Sequence, residues 1–367
     1  MEFKKQKTIV IGMSGGVDSS VAALLLKNQG YNVIGAFMKN FSDSKNKITG
    51  ECLWIQDKKD AQKIASLLNI RLVTFDFEKE YKKQVIRPMF KAYSQGLTPN
   101  PDIQCNTIIK FPLFWKYAKT KLKANYIAMG HYAKIKKTKN GFQLLAGKDK
   151  TKDQSYFLYH LSQKELSHTL FPIGDYTKSQ VREIAKRHRF PNWNKQGTRG
   201  ICFVGKVNMK SFLEKRIHSK QGIVLNPQNN PIGTHPGTSY FTIGQRIGSH
   251  LGINVIKPKG SEQKKWYVAK KQKNNILIVA PENHPLLKNK SVTLKSLHLI
   301  NPKEKILSHL IARIRHLGQF HSGKLKKQNN KYIFTFSKPV EAIAEGQSIV
   351  LYHKSQVIGG GEISKVK

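Results

Sequence analysis

One run near the N-terminus, Ile9-Val10-Ile11-Gly12-Met13-Ser14-Gly15-Gly16-Val17-Asp18-Ser19-Ser20, constrains the fold more than any other feature of this chain. An apolar, strand-like stretch drives into Ser-Gly-Gly, after which Val21, Ala22, Leu24 and Leu25 recur with helical spacing. Adjacent glycines let the backbone turn tightly, so several amides can converge on an anion at a helix N-terminus. Ser14, Ser19 and Ser20 add hydroxyl donors, and Asp18 stands where a hydrated magnesium ion could be held. No lysine follows the glycines, which excludes the Walker loop. The motif reads as a phosphate cradle in the first strand-to-helix turn of an α/β sheet.

The first half continues that alternation. Strands are expected over 7–13, 31–37, 71–75 and 126–129, and helices over 18–28, 60–68, 80–93 and 111–121, with Thr177 capping one more helix through Val181, Ile184 and Ala185. This is the pattern of a parallel sheet with helices on both faces, where ligands collect at the carboxyl ends of the strands. Beyond about residue 205 Gly and Pro punctuation becomes dense, and from about 275 short alternating runs suggest a small β-barrel. Three domains are therefore expected: 1–206 as the catalytic α/β unit, 207–273 as a small central domain, and 274–367 as a C-terminal β-barrel.

The charge is extreme, with 64 Lys+Arg against 22 Asp+Glu and a net +42. Nucleic acid is the expected polyanionic partner, although lysine-rich stretches such as Lys134–Lys139 and Lys324–Lys327, read as loops among Asn and Gln, point to a compositional bias as well. No segment is apolar for long enough to span a bilayer, and no membrane partner is expected. The cradle begins only a few residues after Met1, so no targeting peptide is read there and a cytoplasmic enzyme is expected. Three cysteines, Cys52, Cys105 and Cys202, argue against a disulfide scaffold, and without a C-x-x-C pair no structural metal site is expected.

Two of these cysteines sit in unusual company. Cys105 ends Thr98-Pro99-Asn100-Pro101-Asp102-Ile103-Gln104-Cys105, read as a stiff loop whose prolines resist helix formation and which presents an acid and a thiol three residues apart. Cys202 lies in the apolar run Gly200-Ile201-Cys202-Phe203-Val204-Gly205. Each alone reads as a small buried hydrophobe; beside a phosphate cradle the pair reads as chemistry.

Here the chain resembles a known family. S-G-G-V-D-S resembles the pyrophosphate loop of ATP pyrophosphatases (adenine nucleotide alpha hydrolase-like), which cleave ATP between the α and β phosphates. The whole series resembles the tRNA-specific 2-thiouridylases: G-M-S-G-G-V-D-S-S from Gly12, F-M-K-N from Phe37, T-P-N-P-D-I-Q-C-N from Thr98, G-H-Y from Gly130, K-D-Q-S-Y-F-L from Lys152, F-P-I-G from Phe171, G-I-C-F-V-G from Gly200, T-I-G-Q-R from Thr242, W-Y-V from Trp266 and N-N-I-L-I-V-A from Asn274. The matches keep their order over nearly the whole chain.

The resemblance implies a tRNA-uridine 2-sulfurtransferase acting on the wobble uridine, position 34, of tRNAs for Lys, Glu and Gln. ATP with Mg2+ would adenylate the C2 oxygen, and a cysteine persulfide, charged by a sulfur donor or relay protein, would deliver sulfur. By the same resemblance Gly12, Met13, Ser14, Gly15, Gly16, Val17, Asp18 and Ser19 with Met38 contact ATP, and Gly130 lies beside the nucleotide. Cys202 would carry the persulfide, and Cys105 would attack to discharge it, leaving a Cys105–Cys202 disulfide for reductants to reopen. Asp102 would move protons at the target base, and a raised pKa would suit that role. Direct persulfide attack on C2 and prior release of sulfide both remain open. Asn100, Pro101 and Asp102 match contacts to the target base; His131, Lys152, Asp153, Gln154, Arg315, His316 and Gln347 match tRNA contacts.

Three departures stand out. Where the family reads K-D-S-T-G-I-C, this chain has Lys195-Gln196-Gly197-Thr198-Arg199-Gly200-Ile201-Cys202, so an arginine three positions before the thiol is expected to favour its anion. Phe41–Gly50 is less acidic than is typical of the family, which leaves a protein-supplied magnesium ligand there open, and Arg315-His316-Leu317 is less basic and aromatic than the family's wording. Two rival readings are a nitrogen-transferring pyrophosphate-loop ligase, which has no use for a cysteine pair, and a non-catalytic tRNA-binding relative, which would have no need of Asp18, Asp102, Cys105 and Cys202 together.

Overall fold

The computed structural model describes residues 6–43, 52–197, 202–204, 208–256, 260, 264–304, 307 and 309–367. Strand β1 (Thr8–Gly12) leads into helix α1 (Val17–Asn28), as the opening motif requires. Ile9, Val10 and Ile11 have no exposed surface, because β1 is the middle strand of a sheet covered on both faces. The chain steps outward to β2 (Asn32–Lys39), α2 (Leu53–Leu67) and β3 (Arg71–Asp76), then returns to the other side of β1 with β4 (Tyr126–Ala128), and Thr169–Leu170 pairs with β4 at the edge. All four pairings are parallel, with Ile9 opposite Val33 on one side and Tyr126 on the other. The strand order reverses between β1 and β4, and a crevice at the carboxyl ends belongs there.

Two expectations change in the helices. The Thr98–Asn106 segment is not a loop throughout: Pro101–Cys105 is helical, with Pro101 in the first turn, where its fixed φ fits and its missing amide is not needed. Asn100 caps it, its side-chain oxygen accepting the Ile103 amide at 3.2 Å; such a cap contributes about 1 kcal/mol. The chain then widens into π-helix over Asn106–Leu113 before α-helix resumes over Phe114–Leu122. Pro112 lies inside the π stretch, and the wider turn accommodates a residue that would clash with an α-helical carbonyl one turn back.

The lysine-rich stretches read as loops are strands. Ala133–Thr138 pairs with Gly141–Ala146, and His321–Gln328 lies in the C-terminal barrel. Alternation explains this: Ile135 and Leu325 pack against core clusters while intervening lysines face water. The middle sheet orders Asn254–Val255, Pro231–His235, Gly222–Leu225, Ile276–Pro281 and Trp266–Gln272. It therefore runs to residue 281, past the edge at 273 read from sequence, because Ile276–Pro281 pairs with strands on both sides.

Six strands close the barrel, the first (Lys288–Leu294) pairing with the last (Gln356–Val366), and the 133–146 hairpin extends it by pairing Leu144 and Leu145 with Val357 and Gln356. The barrel is locked onto the α/β domain by buried contacts. Arg313 Nη1 donates to Asp153 Oδ2 at 2.7 Å, Tyr156 Oη donates to the Ser348 carbonyl at 2.8 Å, and the Thr98 amide donates to the Glu345 carbonyl at 2.8 Å.

Candidate active site

The cradle at the end of β1 is held open by backbone geometry. Gly15 has φ +71°, and a Cβ there would stand 2.2 Å from the Asp57 carbonyl, so only glycine fits the turn beneath α2. The Ser14 amide donates to Ser19 Oγ at 3.2 Å, and Ser19 and Ser20 hydroxyls both donate to the Gly16 carbonyl at 3.0 Å. As at any helix start, the amides of the first turn of α1 lack intrahelical acceptors, which makes an anion site. Ser14 is exposed, whereas Met13 and Val17 point into the core, so these two can offer a ligand only their backbone. Gly130, just after β4, packs directly on α1: a Cβ there would lie 2.8 Å from the Ser19 amide nitrogen. A Cβ on Gly12 would meet Met129 Sδ at 2.7 Å and Met38 Cε at 3.1 Å, which places Met38 at the floor of the same crevice.

Four side chains that sequence reasoning did not assign complete this cradle: Lys178, Tyr132, Lys195 and Asn192. Asp18 receives Lys178 Nζ on both oxygens, at 2.6 and 2.7 Å, and Tyr132 Oη at 2.7 Å. Lys195 Nζ bridges Asp57 and Asp60 at 2.8 and 2.7 Å and stands 3.4 Å from the Gly15 carbonyl. Asn192 Nδ2 donates to the Gly15 carbonyl and to Ser20 Oγ, both at 3.0 Å. The lysine missing from the loop itself is thus supplied from residues more than a hundred positions downstream. Thr177, foreseen as a helix cap, was the one sequence signal next to Lys178; it forms a capping box with Gln180.

The thiol site is built differently. Asp102 and Cys105 share one helix, and Cys202 arrives from a separate segment whose amide donates to Asp102 Oδ1 at 2.8 Å. The Tyr81 hydroxyl donates to the Cys202 carbonyl, and the following residue, Phe203, is held at φ +66° with its ring edge-on to Tyr81 at 6.0 Å. A non-glycine residue in the left-handed region beside a reactive thiol is backbone strain fixed by its surroundings. Cys105 and Cys202 are free thiols near enough to shift each other's acidity, the former buried and the latter partly exposed.

Their acidities are split. The hydrogen bond from Cys105, aided by the Lys110 ammonium, brings Cys202 down to about 7, while burial pushes Cys105 well above the usual thiol range. Burial also raises Asp102, against the opposing pull of the Cys202 amide and Lys110. Sequence reasoning looked to Arg199 for the cation beside the thiol, but Arg199 lies outside the described residues; Lys110, five residues after Cys105, is the ammonium seen there. Cys52, the third cysteine, stands apart and donates to the Ser42 carbonyl at 3.1 Å.

Comparison with known proteins fits this pair of sites. Residues 7–206 match the family described as tRNA methyl transferase HUP domain, 210–281 its PRC-barrel domain, and 289–363 an aminomethyltransferase beta-barrel domain. A tRNA-specific 2-thiouridylase, MnmA 2 of Aliarcobacter butzleri, is 43% identical over 378 residues, covering 100% of both chains. That of Ureaplasma urealyticum is 42% identical over 381 residues, covering 100% of this chain and 97% of its own. That of Nitrosomonas europaea is 42% identical and covers 97% of each. The chain belongs to the tRNA-specific 2-thiouridylase family.

For a 2-thiouridylase, the residues expected to meet RNA divide into exposed and spent ones. Lys152 and Arg315 are exposed at the junction of the α/β domain and the barrel. Asp153, expected with them, is instead 1% exposed: it accepts Arg313 and the amides of Gly147 and Ser155, so it shapes the junction from inside. Gln154 accepts the Tyr132 amide at 3.0 Å, and Gln347 donates to the Thr98 carbonyl at 3.0 Å, steadying the segment that carries Asn100 and Pro101. The His316 ring packs, tilted by 37°, against Phe157 with centroids 4.3 Å apart and bonds the Asp153 carbonyl at 2.9 Å, and its charge reaches Asp102 from the barrel side. His131 is buried between Phe111 and Phe171, and burial together with Lys110 holds it neutral. Because Gly130 touches the cradle and His131 the surroundings of Lys110, adjacent residues join the two sites.

Proposed function

We propose that this 2-thiouridylase replaces the C2 oxygen of the wobble uridine of tRNAs for Lys, Glu and Gln with sulfur, using ATP in the cytoplasm. The observation that carries the reading is the meeting of Asp102, Cys105 and Cys202 in one desolvated site whose two thiols have opposite acidities. A nitrogen-transferring ligase needs no such pair. No described helix is long and apolar enough to cross a membrane.

A uridine C2 carbonyl is a weak electrophile and its oxygen a poor leaving group. Attack of that oxygen on the α-phosphorus of ATP, with departure of pyrophosphate, gives an adenylate whose oxygen leaves as AMP. The cradle from Gly12 to Ser19, with Lys178 and Lys195 alongside, holds the phosphates, and Met38 and Gly130 border the nucleotide. Magnesium would neutralise the triphosphate charge, and Asp18, whose two oxygens here accept Lys178, is the loop carboxylate that would hold it.

The base must leave its stack to reach the site, and Asn100 to Asp102 would receive it. Cys202 carries a persulfide received from a donor or relay protein. In one route its terminal sulfur attacks C2 and expels AMP; Cys105 thiolate then attacks Cys202 Sγ, freeing the thiocarbonyl and forming the Cys105–Cys202 disulfide. In the other, Cys105 attacks first and the released sulfide attacks C2. Asp102, raised by burial, is suited to hold and return a proton during either route. Lys152 and Arg315 would meet phosphates of the bound tRNA.

Exchange of labelled pyrophosphate into ATP tests the activation step. Exchange that requires tRNA is expected; exchange that proceeds without RNA and is turned into product by ammonia would establish the nitrogen-transferring alternative.

A further inference from the structure

Lys110 occupies a place that regular helical geometry would deny it. In an α-helix, at about 100° per residue, side chains five apart lie on nearly opposite faces. The π-helical stretch Asn106–Leu113 has i→i+5 bonding, so residue 110 comes round over residue 105. The widened turn thus adds a lysine to the face that already carries Asp102 and Cys105. π-Bulges recur at functional sites, and this one has a visible consequence.

The ammonium is enclosed by the thiol site. Its Nζ lies 5.4 Å from the centre of the ring of Phe203, the residue after Cys202, and its charge is felt at the Cys202 thiol. Among the described residues no carboxylate oxygen comes within 4.0 Å of it. Asp102 stands further off, already accepts the Cys202 amide, and is itself driven towards its neutral form by burial. Among the described residues, the other titratable groups around the site are Cys105 from its own helix, His131 from the end of β4, Tyr81 against Cys202, and His316 from the barrel. His131 is neutral, and burial keeps the Tyr81 hydroxyl protonated. Lys110 is partly buried, an ammonium drawn out of water is stabilised by an anion, and among the described residues the sulfur of Cys202 is the group beside it that can be one.

We infer that Lys110 is the fixed counter-ion of the sulfur carrier, a positioning residue that holds the Cys202 thiolate, or the persulfide anion that replaces it, opposite Cys105 during transfer. The inference deepens the thiolation reading and rests on it for its meaning. Its test needs neither tRNA nor ATP, so the two can fail separately.

The experiment is alkylation of the full chain by iodoacetamide across pH, with Cys202 and Cys52 followed separately by peptide mass spectrometry. Cys202 in the parent should titrate near about 7. In Lys110→Met its midpoint should rise by about one to two pH units, slowing the reaction near neutrality by about ten-fold or more, with Cys52 unchanged. Lys110→Arg should keep the low midpoint. A natively folded Lys110→Met with the parental midpoint would overturn the assignment. If that variant does not fold, the parent alone decides: a cation at Cys202 should make the anionic iodoacetate relatively faster there than at Cys52, and equal relative rates would overturn it.

Discussion

The cradle and the thiol site teach opposite lessons about how a chain builds chemistry. The cradle is mostly local: glycines, serines and Asp18 lie within one strand-to-helix turn, and Lys178, Asn192 and Lys195 complete it from further along the chain. The thiol site is composite, drawing Asp102 and Cys105 from a helix, Cys202 from a segment a hundred residues on, Tyr81 from another helix, and His316 from the barrel. The first works by presenting donors to an anion, the second by withdrawing thiols and a carboxyl from water so that their acidities separate. One can be damaged by a single side chain; the other depends also on how the domains dock.

The sharpest division is between variants. Cys202→Ser should reduce thiolation to background while leaving tRNA-dependent pyrophosphate exchange, whereas Asp18→Asn should lose both. Equal loss of exchange in the two, with folding intact, would erase the distinction between the sites.

Docking comes next. Asp153→Ala leaves the buried Arg313 unpaired, which should lower stability by about 3–5 kcal/mol and, at temperatures where the fold survives, impair thiolation more than ATP binding. A change in thermal midpoint no larger than that of a surface substitution would show that the junction does not depend on this pair.

The same interface should be acid-sensitive. Burial, followed by the neighbouring His298, lowers His160 from 6.5 to about 4, and the two rings lie 5.1 Å apart across the junction. Between those pH values the unfolded chain binds a proton at His160 that the native one refuses. Stability therefore falls as pH drops from 6.5 to about 4, and His160→Asn should flatten that part of the curve. An unchanged slope in chemical denaturation at stepped pH would remove His160 as a contributor.

The smallest effect belongs to the surface. Lys152→Ala should weaken tRNA binding and reduce its salt dependence by about one phosphate contact, without touching either site. A parental salt slope would take Lys152 out of the interface.

What the sequence made legible follows the same contrast. The cradle could be read because its residues are contiguous and each type has one physical use there. Lys178 could not, since only the fold brings the start of its helix to Asp18. Pro99 and Pro101 suggested a loop, yet a proline in the first helical turn is favourable, so the cap at Asn100 was the better signal. The π-helical widening has no hydrophobic period of its own, and with it Lys110 went unassigned. Lys134–Lys139 hid a strand because abundant lysine masked an alternation that Ile135 alone kept. Asp153 was matched with Lys152 and Gln154 to tRNA contacts by resemblance alone, and nothing in the sequence showed that its carboxylate is engaged by three donors at 1% exposure.

The most direct test of the whole account is mass spectrometry of tRNA incubated with the protein, Mg-ATP and a persulfide donor, with Cys105→Ser and Cys202→Ser in parallel. The account predicts one sulfur-for-oxygen exchange at the wobble uridine, lost in both variants. Binding of tRNA without any exchange, or exchange that survives the loss of either thiol, would contradict it.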